Sequence, residues 1–314
     1  MKKLFFKLII YLIGIFIVIE LLIRVLHLTK DHPIRVIDEY GVEKWQPIQE
    51  GYSVTGNRRQ NFSKFRINNS GYNSYREFHP SSTKFEIALV GDSFIEGFHQ
   101  DFDNSIGKKI ENKLENIVVY EYGYAGYDLA DQLHLIHKYK EEFDLIDYVF
   151  IGLEVETDLE RKKYEIIKSR IKLESPLYKN LRKIKLLTYL KSIGVVDVGK
   201  KFVSNLISFK RNKKEKLKFS KTNIVDKYIE NFDQLVSTYG FNKKRFIFFL
   251  ETDKTPLVFI NHLNENNYKY LDLSKCFKSS DLHKTLIYDK HWNNHGRDLV
   301  SNQIASMIEL LKKN

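Results

Sequence analysis

The chain has 314 residues, of which 43% are hydrophobic and 14% aromatic. This composition excludes disorder of the whole chain and allows one large hydrophobic core or two small ones. The single cysteine, Cys276, excludes an internal disulfide. A net charge of +11 is typical of proteins that bind nucleic acid or an acidic surface, and its distribution along the chain decides between these classes.

The first segment, residues 4–28, is nearly all apolar and long enough to cross a membrane, since a spanning helix needs about 20 such residues. Four polar residues interrupt it: Lys7, Glu20, Arg24 and His27. Glu20 and Arg24 are four residues apart, so they can pair on one helix face. We predict an uncleaved transmembrane anchor over residues 1–28. A cleaved signal peptide is the alternative, although no small-residue cleavage site follows the segment. The basic residues on its two sides give only a weak orientation bias.

Residues 29–84 hold many polar turn formers and few long apolar runs, and we interpret them as a stalk or lead-in arm. Strand and helix patterns alternate from residue 85 onward, which predicts an α/β fold with a parallel sheet and helices on both faces. Five segments have the pattern of buried strands, namely 85–91, 117–123, 147–155, 244–251 and 268–274. Helical spacing of apolar residues predicts helices over 103–117, 127–143 and 295–313.

The positive charge is concentrated in residues 161–221, which hold 20 Lys or Arg and 4 Asp or Glu, whereas the rest of the chain has a net charge of −5. We interpret 161–221 as a basic helical insertion into an α/β domain that covers 85–314. Part of it alternates cationic and apolar residues as an amphipathic helix does, which suits a membrane surface with anionic lipids. A solvated lysine-rich flap is the equal alternative. Nucleic acid is not an expected partner, because no nucleic-acid-binding motif accompanies the charge.

Candidate catalytic residues lie beyond the ends of predicted strands, where open parallel sheets place their active sites. Ser93 comes just after the first strand, in "GDSF". A hydroxyl is a poor nucleophile until a base takes its proton, and His291, in "YDKHWNNHG", lies between the last strand and the final helix. Asp289 is two residues earlier and is placed to hold the second ring nitrogen or to line the site. Together the three residues meet the logic of a catalytic triad, which is defined by roles rather than by sequence order.

"GDSF", followed about 200 residues later by "DxHWNxxG", resembles the SGNH (GDSL-type) hydrolase family. The resemblance covers about residues 63–313. It implies a flavodoxin-like three-layer α/β/α fold and an ester hydrolase that acts on esters including acetylated carbohydrates. The resemblance also implies that Ser93 is the nucleophile, His291 the base and Asp289 the acid.

An oxyanion hole is implied by the same resemblance. Its donors would be the backbone N–H groups of Ser93 and Gly126 and a side chain after the third strand. The family usually has asparagine there, whereas alignment on the third strand places Thr157 at this position; Glu121 also stands where the second block usually has asparagine. Because a threonine hydroxyl reaches less far, we expect a weakened hole, and Thr157→Asn is expected to raise kcat roughly ten- to a hundredfold.

Other signals leave alternatives open. His134 and His137 are three residues apart on a predicted helix, and His291 and His295 are four apart without the glutamate of a zinc-protease motif. Four tyrosines are equally suited to stacking on sugar rings or to strand packing: Tyr120, Tyr122, Tyr124 and Tyr127. We interpret Cys276 as an inert small hydrophobic residue. We expect no metal and no cofactor.

Three functions fit these patterns. The first is a membrane-anchored serine esterase that removes acyl groups, chiefly acetyl, from a cell-surface carbohydrate. A polysaccharide O-acetyltransferase with the same triad is the second, and a non-catalytic glycan-binding or assembly protein is the third. Anchored members of the resembled family usually work outside the cytoplasm. We therefore expect a single-pass inner-membrane protein with its α/β domain in the periplasm.

Overall fold

The computed structural model describes residues 2–56, 59–195 and 221–313. These residues form two compact units. The first unit holds 2–32, 51–56, 59–63 and 168–195, and the second holds 33–50, 64–167 and 221–313. Residues 196–220 of the predicted basic insertion lie outside the described residues. All candidate catalytic residues belong to the second unit.

The strands and helices are numbered in chain order. The strands are β1 Arg35–Ile37, β2 Glu43–Trp45, β3 Gln49–Thr55, β4 Asn61–Ile67, β5 Phe85–Gly91, β6 Ile117–Gly123, β7 Tyr148–Gly152, β8 Phe246–Leu250 and β9 Tyr270–Asp272. The α-helices are α1 Lys2–Val25, α2 Ser93–Glu96, α3 Ile106–Glu111, α4 Leu129–Lys138, α5 Lys140–Leu145, α6 Val155–Asp158, α7 Lys168–Lys172, α8 Pro176–Lys183, α9 Lys185–Ser192, α10 Lys221–Tyr239, α11 Leu257–Glu265, α12 Ser274–Lys278 and α13 Asn294–Lys313.

Five parallel strands form the central sheet, in the order β6-β5-β7-β8-β9. This confirms the α/β fold with a five-stranded parallel sheet. Side chains alternate between the two faces of a strand. In β5, Ala88 and Val90 therefore enter one hydrophobic core, while Ile87 and Leu89 enter the other. Both faces are buried, which is why the strand reads as a continuous apolar run.

Helices cover both faces of the sheet and complete the three layers. Apolar residues of α4, α10 and α11 fill the core on the Ala88 face. Apolar residues of α3, α12 and α13 fill the core on the Ile87 face. The carboxyl ends of the strands meet at one edge, and the loops that follow β5 and β9 carry the candidate catalytic residues.

Most of the predicted lead-in arm belongs to the same unit as the sheet. Residues 33–50 and 64–84 contribute Trp45, Phe65, Tyr72 and Phe78 to the core that also contains Val90. These side chains are each 6% exposed or less. The hydrophobic burial of four large side chains fixes this part of the arm against the sheet.

In the first unit, α1 has 24 residues with a mean hydropathy of 2.7 in its most apolar window. It is long and apolar enough to cross a membrane by length and composition. The short helices α7, α8 and α9 belong to the same unit.

Candidate active site

Ser93 is the first residue of α2, which begins immediately after β5. The carboxylate of Asp92 caps this helix by accepting a hydrogen bond from the backbone N–H of Phe94 at 2.9 Å. The neighbouring strand β6 ends close against the turn. A Cβ on Gly123 would lie 2.0 Å from the backbone nitrogen of Glu96, so only glycine fits there. The turn therefore holds Ser93 at the carboxyl edge of the sheet.

The base comes from the loop between α12 and α13. Asn293 fixes this loop, because its side chain donates to the carbonyls of His283 at 2.7 Å and Thr285 at 3.1 Å. The same side chain accepts the N–H of Gly296 at 2.9 Å in the first turn of α13. The backbone N–H of Leu286 donates to the His291 carbonyl at 3.0 Å.

Ser93, His291 and Asp289 meet as a hydrogen-bonded series. The Nε2 atom of His291 lies 2.7 Å from the Oγ atom of Ser93. The Nδ1 atom of His291 is hydrogen-bonded to the Oδ1 atom of Asp289, which also accepts the backbone N–H of His291 at 3.0 Å. With its proton on Nδ1, the ring presents an acceptor to the serine hydroxyl.

The carboxyl group of Asp289 favours its charged form. Partial burial works to raise its pKa, but the ring and backbone hydrogen bonds from His291 and the charges of His291 and His99 outweigh it, so the pKa is lowered. A charged Asp289 holds the Nδ1 proton and stabilises the imidazolium that forms when His291 takes a proton.

His99 is a fourth member of the site that the sequence analysis missed. Its Nε2 atom lies 3.3 Å from the Oδ2 atom of Asp289. Its ring stacks on the ring of His291, with centroids 3.9 Å apart and planes at 19°. The available sequence signal was a histidine six residues after Ser93. Its approach to His291 depends on the path of the intervening loop, which no local pattern specifies.

Aromatic rings enclose the other side of the base. The ring of Phe94 is 4.8 Å from that of His291 and 4.6 Å from that of Trp292. Trp292 in turn contacts Phe277, with centroids 5.9 Å apart. These rings restrict the orientation of the imidazole.

Two of the proposed oxyanion residues lie in adjoining turns. The Ser93 amide is at the first position of α2, where a helix offers no internal acceptor. Gly126 has φ = 91° in a turn closed by the Tyr127 N–H donating to the Tyr124 carbonyl at 3.0 Å. Such a φ favours glycine strongly, because other residues are strained there.

The buried residue Glu96 connects the turn that holds Ser93 with the turn that holds Gly126. Its carboxylate accepts the Ala125 N–H at 3.0 Å and the Trp45 indole N–H at 2.8 Å, and its carbonyl accepts the Asn73 amide at 2.8 Å. Complete burial raises the pKa of Glu96 to about 7, against the lowering effect of the Ala125 and Trp45 donors and of Arg35.

Thr157 is hydrogen-bonded within its own turn. Its Oγ1 atom lies 3.2 Å from both the carbonyl and a carboxylate oxygen of Glu154, and 3.3 Å from a carboxylate oxygen of Asp158. These contacts use the single hydroxyl proton locally. The alignment-based role of Thr157 in the oxyanion hole stays a prediction.

A cavity of about 150 Å³ lies at the carboxyl ends of β5, β7 and β8. Phe94 and Trp292 contribute to its apolar lining. Its polar lining includes Asp92, Gln132 and Asp158. Gln132 is 1% exposed, and its Oε1 atom has no hydrogen-bond partner within the described part of the chain. Burial raises the pKa of Asp158 well above its usual value, and nearby carboxylates add to this effect.

His134 and His137 both pack edge-on against the ring of Tyr239, with centroids 5.8 and 5.9 Å away. His134 stacks on Tyr164 at 3.8 Å, and burial lowers its pKa to about 4. His137 instead lies 3.0 Å from the Tyr239 carbonyl through Nδ1, and His295 lies 2.7 Å from Ser280 Oγ through Nε2.

The tyrosines and the cysteine belong to the interior. Each of the four clustered tyrosines is at most 3% exposed, so packing accounts for them: Tyr120, Tyr122, Tyr124 and Tyr127. Cys276 is buried, and burial raises the pKa of its thiol.

Neither a family model nor a curated protein sequence matches the chain. Several solved structures match it. A lipolytic protein of the G-D-S-L family from Veillonella parvula is 14% identical, with 71% of this chain and 97% of that chain covered and a TM-score of 0.38. The lipase/acylhydrolase from Enterococcus faecalis is also 14% identical, with 71% and 95% covered and a TM-score of 0.39. The esterase EstA from Pseudoalteromonas sp. is 12% identical, with 73% and 99% covered and a TM-score of 0.41.

The chain resembles SGNH (GDSL-type) hydrolases. The serine at the first strand end and the aspartate and histidine before the last helix occupy, in this structure, one hydrogen-bonded site.

Proposed function

We propose that the chain is a serine ester hydrolase of the SGNH type. The observation that carries the proposal is the series Ser93–His291–Asp289, in which one ring nitrogen contacts the hydroxyl and the other contacts the carboxylate. The esterase and lipase names of the similar solved structures agree with it.

In the proposed acylation step, the Ser93 oxygen attacks the ester carbonyl carbon while His291 Nε2 takes the hydroxyl proton. The carbonyl oxygen becomes an oxyanion, which the amides of Ser93 and Gly126 would stabilise. When the intermediate collapses, the bond to the alcohol oxygen breaks and His291 returns its proton to that oxygen. An acyl-serine and the free alcohol result.

Deacylation repeats these roles with water. His291 takes a proton from water as the water oxygen attacks the acyl-serine carbonyl. Collapse then releases the carboxylic acid, and the proton on His291 restores the Ser93 hydroxyl. A sugar hydroxyl in place of water would make the same site an acetyltransferase, so product analysis belongs in every assay.

The lining of the cavity supports an acylated carbohydrate as the substrate. Carboxyl groups of Asp92, Glu154 and Asp158 and the buried amide of Gln132 offer the hydrogen bonds that sugar hydroxyls need. The raised pKa of Asp158 favours a protonated carboxyl that donates as well as accepts. Trp292 supplies an apolar ring on the same wall. A long alkyl chain would leave the Oε1 atom of Gln132 without a partner among the described residues.

The catalytic proposal is tested with p-nitrophenyl acetate and the full chain in detergent micelles. Ser93→Ala should lower kcat/KM by roughly a thousandfold or more, because no nucleophile remains. Ser237→Ala, at an exposed serine of α10, should match the wild type. A fluorophosphonate should label the wild type once, at Ser93. Equal hydrolysis by wild type and Ser93→Ala would reject the proposal.

The carbohydrate proposal is tested by comparing acetylated xylo-oligosaccharides with p-nitrophenyl acetate. Gln132→Leu should lower kcat/KM on the sugar about two- to tenfold, the value of a lost hydrogen bond, and leave the small ester unaffected. Faster turnover of p-nitrophenyl decanoate than of any acetylated sugar would instead favour a lipid ester.

We also propose that α1 anchors the chain in the inner membrane with the hydrolase-like unit in the periplasm. The length and hydropathy of α1 support an anchor, and the orientation follows the anchored members that the chain resembles. Alkaline phosphatase fused to the carboxyl terminus should be active. An inactive phosphatase fusion together with an active cytosolic reporter at the same point would reverse the orientation.

A further inference from the structure

The first unit contains a surface that the hydrolase proposal does not use. We define the basic platform as helices α8 and α9, Pro176–Lys183 and Lys185–Ser192, together with Ile184 between them. Residues 176–192 hold five basic residues and no acidic ones. Five of the platform's large apolar side chains are at least 41% exposed: Leu177, Tyr178, Leu181, Ile184 and Leu187. Exposed apolar and cationic side chains together are typical of helices that lie in a membrane interface.

The apolar side chains of α8 are not scattered around the helix. Leu177 and Leu181 are four residues apart, which places them on one face of α8, and Ile184 follows directly after the helix. Lys179 lies about 200° further round the same helix. In α8 the exposed leucines and Lys179 therefore lie on opposite sides of the helix.

Glu20 of α1 holds the platform at the end of the apolar helix. Its two carboxylate oxygens accept the backbone N–H groups of Lys185 at 2.9 Å and Leu186 at 2.7 Å, in the first turn of α9. Arg24 donates to Glu20 at 2.7 Å and also donates to the Lys183 carbonyl. A carboxylate in the middle of an apolar segment thus has a structural reason: it caps a second helix.

The position of Glu20 sets the depth of the platform. A bilayer core of about 30 Å takes about 20 helical residues, so a span that starts at Leu4 reaches its far boundary near Ile23. Glu20 and Arg24 are within one turn of that boundary. The start of α9 therefore lies at the level where the lipid headgroups begin.

His32 lies outside the membrane span, and its pKa reflects the positive charge around it. Loss of hydration and the charges of Lys30, Arg182, Lys185 and Lys191 all lower the pKa of His32. Two of these four cations are paired with carboxylates, and the four together still favour anionic groups nearby.

We propose that the basic platform lies on the membrane that α1 crosses and binds anionic lipid headgroups, with its exposed apolar side inserted among them. The headgroups neutralise the lysines, and the upper acyl region covers the apolar face. The platform then restricts the motion of the first unit against the bilayer, which a single spanning helix does not do.

The test places the full chain in nanodiscs, one chain per disc, with an environment-sensitive dye at Leu177→Cys or, as the matched control, at Lys179→Cys. The native Cys276 is buried, and the unsubstituted chain measures its background labelling. The discs contain phosphatidylcholine alone or phosphatidylcholine with about 30 mole per cent phosphatidylglycerol. Lipids with nitroxides near the headgroup should quench the dye at 177 much more than the dye at 179, and more in the anionic discs.

Charge dependence is tested in the Leu177→Cys chain with Lys179→Gln, Lys183→Gln and Lys191→Gln. Each substitution should lower the ratio of quenched to unquenched states in anionic discs about fivefold, the value of one lysine near an anionic surface. Equal access of aqueous iodide to both dye positions in both lipids would overturn the proposal. Burial of position 177 only in discs with two chains would assign the surface to a second copy and overturn it as well.

Discussion

Substitutions at His99 separate the two contacts through which it supports the catalytic pair. His99→Phe keeps a flat ring against His291 and removes the Nε2–H that faces Asp289. His99→Gln keeps a donor at a similar reach and removes the stacked ring. His99→Ala removes both contacts.

The expected loss of activity follows from the geometry of the contact between His99 and Asp289. A nitrogen donor in good hydrogen-bond geometry to a charged carboxylate contributes about 1.5–3 kcal/mol. The His99–Asp289 distance is 3.3 Å, and the two side chains are 15% and 24% exposed, so the lower end applies. A loss of about 1.5 kcal/mol corresponds to about a tenfold lower kcat for His99→Phe. His99→Gln should lose about threefold, and His99→Ala should lose the most.

The assay is steady-state hydrolysis of p-nitrophenyl acetate by the full chain in detergent micelles. Because His99 touches the acid and the base rather than the substrate, kcat should fall while KM stays within about twofold. His99→Gln should recover most of the activity that His99→Phe loses. Equal losses in Phe and Gln variants, or a rise in KM without a fall in kcat, would refute a positioning role through Asp289.

Three further predictions concern the supports of the site. The folded-state pKa of Glu96 is about 7 against 4.5 for the usual group, so the folded chain keeps a proton that the unfolded chain loses. The free energy of unfolding should therefore fall by up to about 3 kcal/mol between pH 4.5 and 7. Glu96→Gln should remove this pH dependence in thermal unfolding. Gly123→Ala places a Cβ 2.0 Å from the Glu96 nitrogen, so it should lower the melting temperature and abolish most activity. An unchanged melting temperature and activity would show that the turn can shift to accept the Cβ. Thr157→Val should leave kcat within about threefold and lower stability by about 1 kcal/mol, because the hydroxyl bonds within its own turn; a tenfold fall in kcat would place it in the oxyanion hole.

The sheet could be predicted from the sequence because its strands are buried on both faces. Two of the predicted strands, 85–91 and 117–123, match β5 and β6 residue for residue. The strands β7, β8 and β9 are shorter than predicted, because flanking residues that share their apolar or extended pattern lie beyond the paired region. Tyr139 interrupts the helix predicted over 127–143, with φ −102° and ψ 31°, and divides it into α4 and α5. Tertiary packing, rather than helical spacing, sets such breaks.

The meeting of Ser93 with His291 could also be predicted, because residues that follow strands of one parallel sheet share its carboxyl edge. His99 could not, since its position depends on a loop without a regular pattern. The local bonds of Thr157 were equally out of reach, because alignment gives a position along the chain and not the direction of a hydroxyl.

The lead-in arm has a larger part in the site than its polar sequence indicated. Trp45 and Asn73 both belong to it, and both donate hydrogen bonds to Glu96, three residues after Ser93. Glu96 passes this support on to Ala125, next to Gly126. A buried carboxyl group is costly unless its acceptors are used, and the Trp45 indole and the Ala125 N–H donate to the Glu96 carboxylate. Asn73 donates instead to the Glu96 backbone carbonyl. The two turns proposed to bind the oxyanion are therefore set by contacts that begin at residues 45 and 73, ahead of the first strand of the sheet.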